Sequence, residues 1–175
     1  MTRLRLAINV LGYQCAWFAC VLSAAARRPM IGVVVALTVV LWHLWSASEP
    51  RRELRLLVIA ALCGAAFETL LVASGWVHMN PAVLLGRATP LWMVALWAAF
   101  ATTLNVSLRA LRPRYLLSAL LAAVAAPLAY YAGARLGALQ WVNEASALLM
   151  IALGWALLTP LLMKSAQRFD GFAAT

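Results

Sequence analysis

Six long apolar runs, separated by short charged or proline-containing breaks, dominate this sequence. Each run is close to the roughly 20 residues that an α-helix needs to cross the hydrocarbon core of a bilayer. Hydrophobic residues make up 66% of the chain and charged residues only 11%, which leaves too little polar surface for a soluble domain. The sequence therefore predicts an all-α membrane protein, a compact bundle of about six transmembrane helices in a single domain over residues 1–175. The predicted spans are 6–25, 30–47, 56–76, 90–108, 115–133 and 145–163.

The basic residues are distributed unevenly between the two sides of this predicted bundle. If the amino terminus is cytoplasmic, ten of the 14 lysines and arginines fall on the inner side and four on the outer side. Cytoplasmic loops carry such an excess of positive charge, so we expect both termini of this multi-pass membrane protein in the cytoplasm. The net charge of +9 then reflects topology, and we expect no nucleic-acid partner, because no soluble basic module is present. The inner set is Arg3, Arg5, Arg51, Arg52, Arg55, Arg109, Arg112, Arg114, Lys164 and Arg168, and the outer set is Arg27, Arg28, Arg87 and Arg135.

The first apolar run has a second interpretation. Basic residues before it and the small residues at 23–26 are also typical of a cleaved signal peptide. Asn9, Tyr13 and Gln14 interrupt the apolar region, and cleavage would leave five spans with a changed topology. We therefore expect the first run to be retained as a transmembrane helix.

No pattern in the sequence indicates a metal or a cofactor. Cys15, Cys20 and Cys63 all fall within predicted spans, at spacings that do not match a zinc ribbon, and we expect them to serve as small packing residues. The sequence contains no glycine-rich phosphate loop, nucleophile elbow or paired-histidine motif. We therefore predict neither a metal site nor a bound cofactor.

Glu68 is the one charged residue well inside a predicted span. A carboxylate near the middle of a bilayer costs roughly 2.5 to 3.5 kcal/mol on insertion scales, so such a residue faces protein or water and often has a function. Ala61, Gly64 and Ala65 share its face of the third helix, and small residues allow helices to approach closely in membranes. We expect Glu68 to face the bundle interior, either as a catalytic acid or as a group that locks two helices together.

Three polar residues near the predicted inner boundary are candidates for substrate binding: Asn9, Asn105 and His43. Asn9 and Asn105 are expected at similar depth on the first and fourth helices. For Asn105, a hydrogen bond across helices is the favoured explanation. His43, between Trp42 and Trp45, also fits an interfacial aromatic belt.

At the outer boundary, Arg135, Glu144 and His78 are expected near the ends of the third, fifth and sixth helices. They are the second set of candidate substrate-binding residues, for a polar head group. An ion pair of Arg135 with Glu144 or with Glu68 is the architectural alternative.

Small residues recur at strict four-residue steps along the fifth span and just beyond it. Such a stripe is typical of a tight helix crossing. The stripe consists of Ala125, Ala129, Gly133 and Gly137.

Two segments, residues 90–108 (PLWMVALWAAFATTLNVSL) and 126–138 (APLAYYAGARLGA), resemble a family of small bacterial inner-membrane proteins catalogued as a domain of unknown function. The resemblance extends over nearly the whole chain. It implies a helical inner-membrane protein without an assigned reaction. Members of that family are often encoded beside genes for cyclopropane-fatty-acid-synthase-like enzymes and oxidoreductases, which implies a link to lipid modification.

Three classes of function fit these observations. The favoured hypothesis is an enzyme or accessory protein that modifies membrane lipid, either a fatty acyl or an isoprenoid chain, with Glu68 as the intramembrane acid. Its expected partners are membrane lipid and other inner-membrane lipid-modifying proteins. The alternatives are a small proton- or cation-coupled transporter or flippase-like module, and a membrane assembly or scaffold protein.

Overall fold

The computed structural model describes residues 2–80 and 88–172, and Arg87 of the predicted outer set lies outside them. Six α-helices account for most of this part of the chain, which confirms the predicted all-α bundle. Their bounds are α1 Arg3–Ala25, α2 Pro29–Trp45, α3 Pro50–Ala73, α4 Leu91–Leu104, α5 Tyr115–Arg135 and α6 Glu144–Arg168. A single 3-10 turn, Arg109–Leu111, precedes α5, and two three-residue strands, β1 Val77–Met79 and β2 Leu139–Trp141, follow α3 and α5.

Capping side chains and prolines mark the starts of four of the helices. Thr2 caps α1 by accepting a hydrogen bond from the Arg5 amide, and Asn143 caps α6 by accepting one from the Ser146 amide. Pro29 and Pro50 occupy the first turns of α2 and α3, where a missing amide hydrogen leaves no intrahelical bond unmade.

The fourth helix is shorter than predicted: it ends at Leu104, whereas the apolar run continues to residue 108. The hydroxyls of Thr102 and Thr103 donate to carbonyls three residues earlier, at 2.7 and 2.6 Å, and Asn105 forms the C-cap. Averaged hydropathy does not detect this end, because the run has no charged residue before Arg109 and the apolar Val106 and Leu108 follow Asn105.

Four helices, α1, α3, α5 and α6, are long and apolar enough to cross a membrane, whereas α2 and α4 are shorter apolar helices. Large apolar side chains remain more than half exposed on the outside of the bundle, among them Leu41, Leu62, Leu116 and Leu161. A surface of this kind is suited to lipid rather than to water. The chain is therefore an integral membrane protein.

α4 is the central helix, and it packs against α1, α2, α3 and α6. Trp92, Trp97 and Leu104 along it are almost completely buried. α5 packs along α6, whereas α1 packs along α2 and α4. In the described part of the chain, α1 and α5 are not packed closely against each other, and this separation creates the groove described below.

The two ends of the bundle differ. At one end, which we call the terminal end, the Arg5 guanidinium lies 4.5 Å from the centre of the Phe172 ring, so both ends of the described chain meet there. At the other end, β1 and β2 pair antiparallel with His78 opposite Gln140. We call this the hairpin end for its two paired strands, although α4 and α5 lie between them in the chain. The Asn80 amide nitrogen Nδ2 donates to the Gly137 carbonyl at 3.0 Å and ties the same two segments together. The sequence analysis did not predict this strand pair.

The stripe of small residues on α5 does not form the predicted tight helix crossing. Ala125, Ala129 and Gly133 line the groove, and Gly137 lies in the turn after α5 with φ +90°. A Cβ atom added at Gly133 would meet only Leu139 Cδ2, at an ordinary 3.8 Å. The prediction was wrong because small residues suit an open groove wall as well as a close crossing.

Candidate functional site

A groove of about 610 Å³ lies between α1 and α5. α4 and α6 form its base, and the turn before β2 closes part of the hairpin end. On α5 the lining extends from Ser118 to Gly133, which is about 22 Å at 1.5 Å per residue. The groove therefore follows much of the roughly 30 Å thickness of a bilayer's hydrocarbon core.

Aromatic rings form the base of this groove. Trp97 of α4 and Trp155 of α6 are stacked, with ring centroids 4.3 Å apart and planes at 25°. Phe100 meets Trp155 edge to face at 5.1 Å, and Tyr13 of α1 approaches Phe100 at 6.1 Å. Such ring pairs resist deformation and join three helices around the groove.

Glu68 lies behind this base, where it is fully buried. Trp97 Nε1 donates a hydrogen bond to Glu68 Oε1 at 2.9 Å, and the Tyr130 hydroxyl donates to the same oxygen. Glu68 Oε2 has no hydrogen-bond partner among the residues that the structure describes. Three helices, α3, α4 and α5, thus meet at one carboxyl group, which we call the Glu68 cluster: Glu68, Trp97 and Tyr130.

Gly64 positions the indole in this cluster. It lies one turn before Glu68 on α3, and a Cβ atom built at Gly64 would lie 2.1 Å from Trp97 Cγ. Only glycine therefore leaves room for the Trp97 ring flat against α3. The sequence pattern of small residues beside Glu68 correctly indicated that this face points into the bundle.

The acid does not itself line the groove. Trp97 and Tyr130 are lining residues, and Glu68 is separated from the groove by them. Both residues therefore connect the carboxyl group with the groove through a hydrogen bond, and Tyr130 is the one whose O–H both donates and accepts. Sequence reasoning missed this pairing, because 62 residues separate Tyr130 from Glu68 and nothing in an apolar helix specifies such a partner.

A second buried carboxyl group, Glu53, lies at the terminal end of α3. His43 Nε2 lies 2.9 Å from Glu53 Oε2, while Asn105 Nδ2 and the Gly171 amide donate to Oε1 at 2.6 and 2.9 Å. Glu53 falls in the charged break between the predicted second and third spans, so it was not among the predicted site residues. One signal could have identified Glu53 as a buried residue. It lies four residues before the buried Leu57, on the same face of α3 as Gly64 and Glu68.

Asp170 extends this network. It forms ion pairs with Arg109 and Arg112, both at 2.8 Å, and Arg112 also donates to Asn105 Oδ1 at 2.6 Å. A Cβ atom at Gly171 would lie 2.5 Å from Glu53 Cγ, so glycine is needed where the chain passes over the buried acid. The segment after α6 is thereby fixed to the ends of α2, α3 and α4.

The predicted inner candidates Asn9, Asn105 and His43 all lie at the terminal end, but their polar atoms bond to protein. Asn9 Nδ2 donates to the Thr102 carbonyl at 3.1 Å, and Asn9 Oδ1 accepts from the Ser107 amide at 3.3 Å. Asn105 and His43 both bond to Glu53. Asn9 and His43 also line a smaller cavity of about 260 Å³. None of the three lines the groove beside the Glu68 cluster, so the structure separates the predicted inner candidates from the acid.

The predicted outer candidates Arg135, Glu144 and His78 lie exposed at the hairpin end. Within residues 2–80 and 88–172, Arg135 forms no ion pair with Glu144 or with Glu68. Glu68 is fully buried and bonded to Trp97 and Tyr130 instead. The three cysteines are free thiols.

The family described as Protein of unknown function (DUF2878) matches residues 6–161. This range contains α2 to α5 and most of α1 and α6, and the match confirms the resemblance to a domain of unknown function. No curated protein and no solved structure has detectable similarity to the chain. With most of its length matched, this integral membrane protein belongs to the DUF2878 family.

Proposed function

We propose that this protein binds a fatty acyl or isoprenoid chain of a membrane lipid in the groove and takes part in the modification of that chain. The observation that supports this most directly is the position of a buried carboxyl group behind an apolar, aromatic groove that runs along the membrane-spanning helices. Pockets for apolar ligands combine such a lining with a few well-placed polar groups. The proposal places the protein in the bacterial inner membrane, with other lipid-modifying proteins of that membrane as its partners.

In this proposal Tyr130 is the catalytic contact and Glu68 is its positioning residue. The Tyr130 hydroxyl donates to Glu68 Oε1 in the structure. To act as an acid, the phenol turns its O–H bond to the lipid, gives up that proton and takes up the proton of the Glu68 carboxyl group. The bond from Trp97 Nε1 to the same oxygen holds the carboxyl group in one orientation. The sequence-based hypothesis assigned the acid role to Glu68 alone, and the proposal now assigns it to the pair.

Transport and assembly are supported less well by the geometry. The face of α3 between Glu53 and Glu68 carries the buried Leu57, Ala60 and Gly64, which offer no polar side chain to connect the two acids. A proton or cation path through the bundle would need such groups. Ala125, Ala129 and Gly133 of the stripe of small residues line the groove, where they leave room for a lipid chain, so the stripe gives no separate support to an assembly role.

The test is mass spectrometry of total lipid extracts from cells lacking the protein, complemented with wild type, Tyr130→Phe, Glu68→Gln or Tyr131→Phe at matched protein level. Tyr131→Phe is the matched control, because this neighbouring tyrosine is 44% exposed on the outside of α5. We expect a lipid species that depends on the protein to be restored by wild type and by Tyr131→Phe. Tyr130→Phe and Glu68→Gln should restore less than about a tenth of it, since removing one general acid typically costs 10²-fold or more in rate.

Either of two results would contradict the proposal. One is a lipid profile that is the same with and without the protein while the protein is being made. The other is full restoration by both Tyr130→Phe and Glu68→Gln, which would leave the groove without the proposed chemistry.

A further inference from the structure

Two hydrogen-bonding groups on α6 line the groove without a partner. Trp155 Nε1 and Thr159 Oγ1 are both buried, and neither has a hydrogen-bond partner in the described part of the chain. Trp155 Nε1 lies near the Tyr130 hydroxyl but does not meet the geometry of a hydrogen bond with it. Unpaired buried polar groups are uncommon in folded proteins, and each one calls for an explanation.

The two groups are arranged to act together. They are four residues apart on α6, which places them on the same face of the helix, one turn from each other. Trp155 is fixed by its stack on Trp97 and by the edge of Phe100, so its N–H direction is set before any ligand arrives. A single oxygen atom in the groove, or two oxygens on adjacent carbons, could accept hydrogen bonds from both.

Their depth indicates which part of a lipid they would meet. Trp155 is eleven residues from the first residue of α6 and Thr159 nine residues from the last, or about 16 and 14 Å along the helix. The groups are therefore near the middle of the membrane, far from the level of lipid head groups. The groove lining contains no Arg, Lys, His, Asp or Glu among the described residues, so it offers no counter-charge to an ionised ligand.

We propose that the groove selects lipids whose apolar chain carries an uncharged oxygen, as a ketone, hydroxyl or epoxide, near the middle of the chain. Trp155 Nε1 and Thr159 Oγ1 donate to that oxygen, and the aromatic base accommodates the chain on both sides of it. This inference rests on the proposed function, which makes the groove a lipid site, and adds the chemical class of its ligand. Tyr130, the catalytic contact of the proposed function, lines the same groove.

The experiment compares two uncharged probes, methyl 10-oxooctadecanoate and methyl octadecanoate, by native mass spectrometry of the full-length protein in detergent. We expect the wild type to bind the oxo ester about tenfold more tightly, because two neutral hydrogen bonds together contribute roughly one decade in affinity. Thr159→Val and Trp155→Phe should each reduce this preference, and the double variant should remove it while still binding both esters. Val keeps the shape of Thr, and Phe keeps an aromatic ring at the stack.

Two further variants serve as matched controls. Thr38→Val changes an exposed threonine whose hydroxyl bonds within its own helix at 2.9 Å, and Trp45→Phe changes a tryptophan that is 76% exposed. Both should retain the full preference for the oxo ester. The wild-type comparison of the two probes tests the preference for a chain oxygen even if a groove variant fails to fold.

The outcomes separate the two proposals. Equal affinity of the wild type for both esters would overturn the selection for oxygen and leave the groove as a lipid site. A tenfold preference that persists in the double variant would overturn the roles of Trp155 and Thr159. Failure of the wild type to bind either ester would overturn the lipid site itself, and with it this inference.

Discussion

At the scale of single residues, the chain buries two glutamic acids in different ways. Glu53 accepts hydrogen bonds on both carboxyl oxygens from three separate elements, whereas Glu68 has both donors on one oxygen and leaves Oε2 without a partner in the described residues. A fully bonded buried acid is suited to holding a fold together. An incompletely bonded one next to a groove is the better candidate for chemistry, because functional sites retain polar groups that the fold itself does not satisfy.

Glu68 could be found in the sequence, but its partners could not. A carboxyl group within an apolar run is conspicuous, and the small residues at helical spacing around it correctly indicated its inward face. The choice of Trp97 and Tyr130 depends on how α4 and α5 are rotated about their axes. Helices that are apolar on every side carry no periodic signal that specifies this rotation.

Gly64→Ala tests how closely Trp97 must approach α3. Because the added Cβ would lie 2.1 Å from Trp97 Cγ, the indole has to move away, and we expect a loss of about 1 to 3 kcal/mol in unfolding free energy. The measurement is equilibrium unfolding in detergent. Gly12→Ala is the control, since its added Cβ meets only Val39 at 3.6 Å or more and alanine favours the helix. Equal stability of the two variants would show that Trp97 is not held against Gly64.

At the scale of elements, the most specific packing is at the terminal end, where the residues after α6 are joined to α2, α3 and α4. Ser48 and Glu49 amides donate to the Gly171 carbonyl at 2.9 and 3.1 Å, and Asp170 pairs with Arg109 and Arg112. Hydropathy placed the helices within six residues of their observed bounds, with the largest difference at the start of α3, which begins at Pro50 and not at residue 56. It left this segment without a role. Its contacts join residues that are far apart in the chain, such as Gly171 and Glu53 at 118 positions, which periodicity within one helix cannot indicate.

Glu53→Leu should be the most destabilising single change in this region. It leaves His43, Asn105 and the Gly171 amide without their acceptor, and each unsatisfied buried donor costs about 1 to 3 kcal/mol. We expect a loss of about 3 kcal/mol or more, measured by thermal unfolding in detergent.

Two further variants test whether the lost stability comes from the hydrogen bonds of the Glu53 carboxyl group. Glu53→Gln keeps one acceptor oxygen and should restore part of the stability. Glu49→Gln, which removes only a half-exposed pair with Arg52, should change it by less than about 0.5 kcal/mol. If Glu53→Leu were no worse than Glu49→Gln, the terminal network would have no structural importance.

At the scale of the whole molecule, six helices and two distinct ends follow from the apolar runs and the charge distribution alone. The lateral groove does not, because it depends on α5 packing on α6 rather than on α1. Within the described chain, both predicted sets of polar candidates lie near the ends of the bundle, and the Glu68 cluster and the groove lie between them. The membrane architecture and the buried Glu68 could therefore be predicted from the sequence, but the groove beside Glu68 could not.

The orientation of these two ends in the membrane is the last prediction. Ten of the 14 basic residues belong to the set assigned to the terminal end, so the positive-inside rule places that end in the cytoplasm. Ser48 is exposed at the terminal end and Gln140 at the hairpin end. In a variant whose three native cysteines are replaced by alanine, Gln140→Cys should react with a membrane-impermeant maleimide on intact spheroplasts. Ser48→Cys should react only after the membrane is permeabilised. The reverse pattern would mean that the bundle is inserted the other way round, with its terminal end outside the cytoplasm.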